Sequence, residues 1–326
     1  MILNDDAIMD PYNLEAHYMS HLTKYNGQKV AVIGKFDYSE EFIERPFVWL
    51  TQNTNVIFSY NLLEPNKPFD YKYFWTCNIS LKTTAIIEAG LFDENFSEPM
   101  MEDTELGYRL QMLGYNVYFE PEAKSTHYHW IDVPGFVKRQ KMNGRNVLKF
   151  LMKYPHTLYS EKNVFGINAL DASGIAEMRF RHTSMADDAI NMTRLLSEID
   201  NKLKIKVEES YITLPDKSIL ELEEFKEQMK NAAYFLHNYN YLSGILDQLE
   251  KQNFDLTYIR KPLSGPERIL EKFVKYSEIE ENITSINNIN ENNYTNEFAD
   301  NDYLNILQDD YKPNYIEAVK SNNISD

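Results

Sequence analysis

The stretch Met101-Glu102-Asp103-Thr104-Glu105-Leu106-Gly107-Tyr108-Arg109-Leu110 constrains the fold more than any other part of the chain. Acidic and hydroxyl side chains from Glu102 to Glu105 lead directly into a helical pattern. Leu106, Leu110 and Leu113 recur at three- and four-residue spacing, and Gly114 stands where a helix C-cap glycine belongs. Negative groups in a first turn are favoured by the helix macrodipole, which also favours an ionised Asp103. Gly114-Tyr115-Asn116-Val117-Tyr118-Phe119-Glu120-Pro121 then reads as a tight turn into a short strand, and the chain reaches Thr126-His127-Tyr128-His129-Trp130. Taken alone, the first part is an ordinary capped helix. With the histidines it becomes a constellation of an acidic helix start, one helix, one strand and an imidazole pair.

This run resembles the C-terminal half of the catalytic domain of family-2 glycosyltransferases, inverting GT-A enzymes that use nucleotide-sugar donors. Their acidic pair opens a helix written roughly E-D-x-E-L-G-x-R-L, and its Asp is the catalytic base. In galactofuranosyltransferase-like members a histidine after the next strand is a metal ligand. Here His127 stands 24 positions after Asp103 (127 − 103), with the Gly-Tyr turn and the Pro-x-Ala step between them. The resemblance implies Asp103 as catalytic base, Glu102 beside it, and Glu105 as a secondary group that orients the acceptor or caps the helix. His127 is preferred to His129 on spacing.

Bulk properties bound the rest. A chain of 326 residues is long enough for about two domains, and 43% hydrophobic with 13% aromatic residues implies a mostly globular protein. A net charge of −17 and a pI near 4.9 argue against a nucleic-acid partner. One cysteine, Cys77, excludes an intramolecular disulfide framework and fits a reducing cytoplasm. No early segment pairs a basic stretch with an apolar core, and no apolar run approaches the roughly 20 residues of a membrane span. Attachment at the inner face of a membrane would therefore be peripheral.

Met1-Ile2-Leu3-Asn4-Asp5-Asp6 reads as a strand fragment running into acids. In the resembled family a strand ends here in an Asp-x-Asp type motif that holds the donor's divalent cation. Asn4 replaces the first Asp, which leaves Asp6 as the stronger ligand, with Asn4 beside it. A hard cation such as Mg²⁺ or Mn²⁺ suits carboxylate oxygens, and Mn²⁺ also accepts imidazole. The alternative is a strand-end turn whose Asx side chains cap the next helix. Family members carry nucleotide-binding strands and helices ahead of this motif. Their absence implies a truncated product or a separate polypeptide supplying that half.

Asp10 to Tyr25 reads as a helix with Leu14, Tyr18 and Leu22 on one face. His17 and His21 beside it read as surface or semi-buried, since no H-E-x-x-H pattern accompanies them. Val30 to Gly34 is a buried strand, 36 to 70 is mixed, and Asn55 to Tyr60 is a candidate strand. Tyr73 to Lys82 resembles the family strand lining the active site, with Trp75, Thr76 and Asn78 as substrate-binding candidates; a half-exposed strand is the alternative. Thr83 to Ala89 is a short helix followed by Gly90-Leu91-Phe92-Asp93-Glu94, a phrase that also occurs in the family. Five of the 33 basic residues fall between Lys138 and Lys149, in a helix from Phe136 to Pro155. Arg139 and Arg145 there suit a diphosphate, unless the basic residues are a solvated helix face.

The expected architecture is α/β: a partial GT-A domain over 1–155 that lacks its N-terminal strands, a mainly helical region over 156–276, and an acidic, Asn-rich tail over 277–326. The tail composition predicts disorder or loose docking. Helical periodicity covers 174–206 and 219–252, with a short strand between Val207 and Leu214. Tyr234, Phe235, Tyr239 and Tyr241 read as core rather than a sugar platform. The expected function is inverting transfer of a sugar from a nucleotide-diphosphate donor to a hydroxyl of a glycan, lipid-linked or protein acceptor, assisted by Mn²⁺ or Mg²⁺ at Asp6, Asn4 and His127. Two readings stand beside it: an inactive remnant acting as a binding or scaffold module, and a metal-dependent hydrolase.

Overall fold

The β-branched run Val30-Ala31-Val32-Ile33 has both faces covered and forms the middle of the sheet. The computed structural model describes residues 1–159, 167, 170–202, 204, 206–208, 211–213 and 219–251. In it β3 (Val30–Tyr38) pairs in parallel with β6 (Asn116–His127) and antiparallel with β5 (Asn78–Ser80). β1 (Ile2–Leu3) flanks β5, β2 (Ala7–Met9) flanks the far end of β6, and β4 (Pro68–Phe69) pairs with the beginning of β6. The order is β1-β5-β3-β6-β2. Because only Asn4 to Asp6 join β1 to β2, the two edges of the sheet are drawn together and it is nearly closed.

Both long strands outrun their sequence expectation, because one irregularity carries them past a natural stopping point. Pro121 has no N–H to give to the ladder, and the β3–β6 register jumps from Gly34↔Glu120 to Lys35↔Lys124. The extra residues fold over Gly34, where a Cβ would meet the Ala123 carbonyl oxygen at 2.2 Å. Only glycine fits there. The Asn78 amide bridges the break, donating to the carbonyls of Lys35 (3.0 Å) and Ala123 (2.8 Å). Beyond it the ladder resumes and brings Tyr38 level with His127.

Helix α1 (Asn13–Met19), continued by a wider π-type turn over Ser20–Lys24, lies on the sheet with the opposite face inward from the one its apolar residues predict. Leu14, Tyr18 and Leu22 are exposed, while Asn13, His17 and Ser20 are buried. His17 is thus a core residue, a correction to its surface or semi-buried reading. The expected strand over Asn55 to Tyr60 is not one. The mixed region instead holds helix α2 (Pro46–Asn53), with Pro46 in its first turn and Phe47, Val48, Trp49 and Leu50 all buried.

Helices α3 (Thr83–Glu88) and α4 (Glu102–Met112) cover one side, and α5 (Val133–Lys153) leads into the helical region. There α6 (Ala172–Lys202) and α7 (Leu222–Lys251) flank a small antiparallel sheet of β7 (Lys206–Glu208), β8 (Tyr211–Thr213) and β9 (Ile219–Glu221). α5 and α7 cross at van der Waals limit: a Cβ on Gly144 would sit 2.0 Å from the Tyr241 carbonyl, and one on Gly244 2.0 Å from that of Lys141. One core joins Phe47, Leu50 and Phe136 to Leu196, Met229 and Leu236. Another joins Met101, Tyr108 and Leu148 to Met178, Ile245 and Leu249. Cores therefore straddle position 155, and α4 and α7 contribute to the same one through Tyr108, Tyr241 and Ile245. Tyr234, Phe235 and Tyr241 are buried in these cores. No helix among the described residues is long and apolar enough to cross a membrane. The tail over 277–326 lies outside the described residues.

Candidate active site

The turn after β1 and the end of β6 build one half of the site. Asn4 N–H bonds the Cys77 carbonyl at 3.2 Å, and Tyr128 N–H bonds the Asp6 carbonyl at 2.8 Å. With Ala7 level with His127, these bonds hold the Asp6 carboxylate over the imidazole, Oδ2 to Nε2 at 3.2 Å. The His127 ring packs on Phe36 (centroids 4.7 Å apart) and Tyr38 (5.2 Å). Burial holds its pKa below the ordinary histidine value despite Asp6, so the ring is neutral at pH 7. Asn4 is exposed and enters through its main chain, bonding Cys77 and Ala7.

The start of α4 builds the other half. It has no side-chain N-cap, contrary to the capped-helix expectation, and is instead set by two successive residues in the left-handed region, Met100 (φ 87°) and Met101 (φ 74°). Non-glycine residues hold that conformation only where their surroundings impose it. Here the Asn146 amide, fully buried on α5, donates to the carbonyls of Glu98, Pro99 and Met100 at 3.3, 3.2 and 3.0 Å. Arg145 clamps Glu98 through two bonds of 3.0 and 2.9 Å. The loop thus presents Glu102 and Asp103 inward. Asp103 accepts from Thr104 N–H (2.6 Å), from the Thr104 hydroxyl (3.3 Å) and from the Thr76 amide. Burial raises the pKa of both carboxyls, and the neighbouring Asp103 charge helps push Glu102 up to about 7. Three donors favour charge on Asp103, so Glu102 is the one that keeps a proton toward neutral pH.

Arg139 and Tyr38 tie the halves together. The Arg139 guanidinium acts electrostatically on Glu102, Asp103, His127 and Tyr38, and Tyr38 also feels Asp6 and Cys77. Arg139 lies over the Phe58 ring at 5.9 Å and, unlike Arg145 and Lys141, has no carboxylate partner among the described residues. Three buried polar atoms in this cluster have no hydrogen-bond partner among the described residues: Asp6 Oδ1, Glu102 Oε2 and Arg139 Nε. Buried polar groups are nearly always paired, so three orphans in one cluster point to groups that a ligand completes.

Several expected site residues work elsewhere. Asn78 is fully buried and holds the strand bulge and the underside of α1, so it is not a substrate contact. Glu105 is fully buried under Arg109, Lys153 and Tyr154, whose bonds outweigh burial and hold its pKa below the usual value. It is neither an acceptor ligand nor a cap. Arg145 belongs to the Glu98 clamp, whereas Arg139 has no carboxylate partner among the described residues. Trp75 packs among Phe58, Tyr60 and Tyr73 over the core, one ring removed from Arg139, and Thr76 touches the site through its amide. Cys77 is buried with its thiol pushed up to about 12 by burial, which makes it inert. Sequence reasoning missed Tyr38, placed by parallel pairing with His127, and Asn146, whose only signal was an amide inside a basic helix.

Asp6 and His127 are two donors of the hard-oxygen and imidazole types that Mn²⁺ accepts, and the free Asp6 oxygen is available to an ion. No group of three or more His, Cys, Asp or Glu able to hold a metal occurs among the described residues, so Asp6 and His127 could supply only part of a coordination shell. No protein-family model, curated protein or solved structure matches this chain.

Proposed function

We propose that the chain carries the catalytic half of an inverting glycosyltransferase, acting on a nucleotide-diphosphate sugar and an acceptor hydroxyl. The observation that carries this reading is the meeting of an ionisable carboxylate pair, a carboxylate–imidazole pair and an unpaired guanidinium, each keeping a buried atom without a partner. A general base, a seat for a diphosphate-bound cation and a cation for the leaving group are the three parts such a displacement needs.

Asp103 accepts the acceptor's proton as the new C1–O bond forms and the bond from C1 to the phosphate oxygen breaks. An alcohol holds its proton too tightly to lose it beforehand, so an ionised carboxylate in reach suffices. Thr76 and Thr104 keep that carboxylate charged and aimed. Arg139 meets the charge on the departing diphosphate. Mn²⁺ or Mg²⁺ bound by Asp6 and His127 would supply the remaining neutralisation. Glu102, protonated toward neutral pH, can donate a hydrogen bond to a sugar hydroxyl.

Calorimetry of the full chain with Mn²⁺, then with UDP-, GDP- and dTDP-sugars, tests the reading. Mn²⁺ binding is expected, with H127A weakening it by about tenfold or more. Because the folded His127 pKa lies below 6.5, affinity is flat above that pH and falls beneath it as the ring protonates. Absence of heat from the metal and from every nucleotide sugar would sink the proposal in favour of a non-catalytic module.

A further inference from the structure

The His127 ring is the inner end of a row of aromatic side chains that runs from the Asp6 cluster to the surface. His129 packs on His127 with centroids 5.5 Å apart, and Trp130 stacks on His129 at 6.2 Å. Phe42 lies against Trp130 (5.3 Å) and Tyr128 (5.5 Å). Trp130 is 44% exposed and Tyr128 51%, whereas Trp49 is buried and Trp75 packs into its ring cluster. What sets these rings apart from the chain's other exposed apolar side chains is that they touch one another, and a contiguous exposed patch rimmed by polar groups marks an interaction surface. The covering group has to be apolar on one face and polar at its edges, because the rim is polar. Glu41 takes the Tyr128 hydroxyl at 2.7 Å, His129 is exposed, and the Arg45 guanidinium sits over Trp130 at 5.6 Å. Arg45 is anchored to Asp200 of α6 at 2.8 Å, and its buried Nε has no partner.

We infer that Phe42, Tyr128 and Trp130 form a platform for the acceptor, and that the acceptor is an oligosaccharide. This deepens the transferase reading and rests on it for the word acceptor. A pyranose ring has a C–H face that matches the electron-rich face of an indole, and equatorial hydroxyls that match Glu41, His129 and Arg45 at the rim. Continuity with His127 gives the row its direction: from Trp130 through His129 to the imidazole that Asp6 holds. A flat lipid surface would meet the same rings, but Glu41 and the chain's overall negative charge oppose an anionic bilayer.

The test uses the full chain and neutral tetrasaccharides of glucose, galactose and N-acetylglucosamine, followed by tryptophan fluorescence and saturation-transfer NMR. At least one is expected to bind, perturbing the emission of Trp130. W130A should weaken that binding about tenfold or more by NMR while Mn²⁺ affinity stays unchanged. Failure of all the glycans, equal binding by W130A, or binding only to phosphatidylglycerol vesicles would each overturn the platform. The Mn²⁺ and nucleotide-sugar titrations are read separately. Glycan binding without them leaves the platform standing and removes the transferase; the reverse removes the platform alone.

Discussion

Two buried histidine clusters lie in this one sheet layer, and they differ in a single respect. Under α1, His17 Nε2 donates to the Asn78 side-chain oxygen at 3.0 Å, the Ser80 hydroxyl donates to His17 Nδ1 at 2.8 Å, and His21 Nε2 meets Ser80 at 2.9 Å. The tautomer follows: the Asn78 amide nitrogen faces two carbonyls, so its oxygen faces His17, which must carry its proton on Nε2. Asn78 uses every bond it can make, and of this group only the Asn13 amide oxygen lacks a partner. At the other end of the sheet Asp6, Glu102 and Arg139 each keep an unpaired buried atom. Composition does not distinguish the clusters. Satisfaction does: one unpaired atom remains in the first, whose central Asn78 is fully bonded, and three in the second, two of them on charged groups that a ligand can complete.

The sharpest way to break the contrast is to change the middle of each. D103N keeps the shape and both Thr104 contacts on Oδ1 but removes the base. Single-turnover consumption of a bound nucleotide sugar should fall about 10²- to 10⁴-fold, with urea unfolding moved by less than about 1 kcal/mol. Retained turnover would remove Asp103 from the mechanism. N78A should behave in the opposite sense. It strips the bulge carbonyls of Lys35 and Ala123 of their donor and leaves the His17 N–H facing nothing. A loss of about 3–4 kcal/mol in urea unfolding is expected. If N78A unfolds like the parent but loses binding of the nucleotide-sugar panel, the two clusters have been assigned the wrong way round.

How much of this could be read beforehand depends on whether the deciding contact is local. The acidic helix start, the Gly114 turn and the strand into His127 are local patterns, and they stand where periodicity puts them, with Gly114 in the left-handed region at φ 87°. Glu105 shows where local reading stops. It looks equal to Glu102 and Asp103 in sequence, yet two residues beyond Asp103 is about half a turn of helix, which puts its carboxylate under Arg109 and Lys153 instead. Arg145 and Arg139 likewise differ only through Glu98, a partner far away in the chain. Helix α1 failed for a related reason. Its apolar stripe predicts the buried side, but the bulge at Pro121 creates polar demands on the sheet that Asn13, His17 and Ser20 meet. Nothing in the helix itself announces those demands.

The smallest expected effect sharpens the comparison most, because it concerns the cost of leaving a cluster open. Glu102 is half-buried beside Asp103, and its carboxyl is raised to about 7 from an unfolded value near 4.3. A raised pKa means the folded state holds the proton more tightly. The stability this contributes is fully present below about pH 4, and is lost as pH climbs through 7 and the buried carboxylate must charge. E102Q cannot charge. It should match the parent near pH 4 and exceed it by about 2 kcal/mol at pH 8, discounted for partial exposure and the shared Asp103 charge. Urea unfolding of both proteins at pH 4, 6 and 8 measures the difference. Parallel curves would mean that Glu102 bears no strain, and its unpaired oxygen would then be no sign of an absent ligand. If the gap opens with pH, and bound Mn²⁺ plus a nucleotide sugar narrow it, the strain belongs to the site and is relieved by what the site binds.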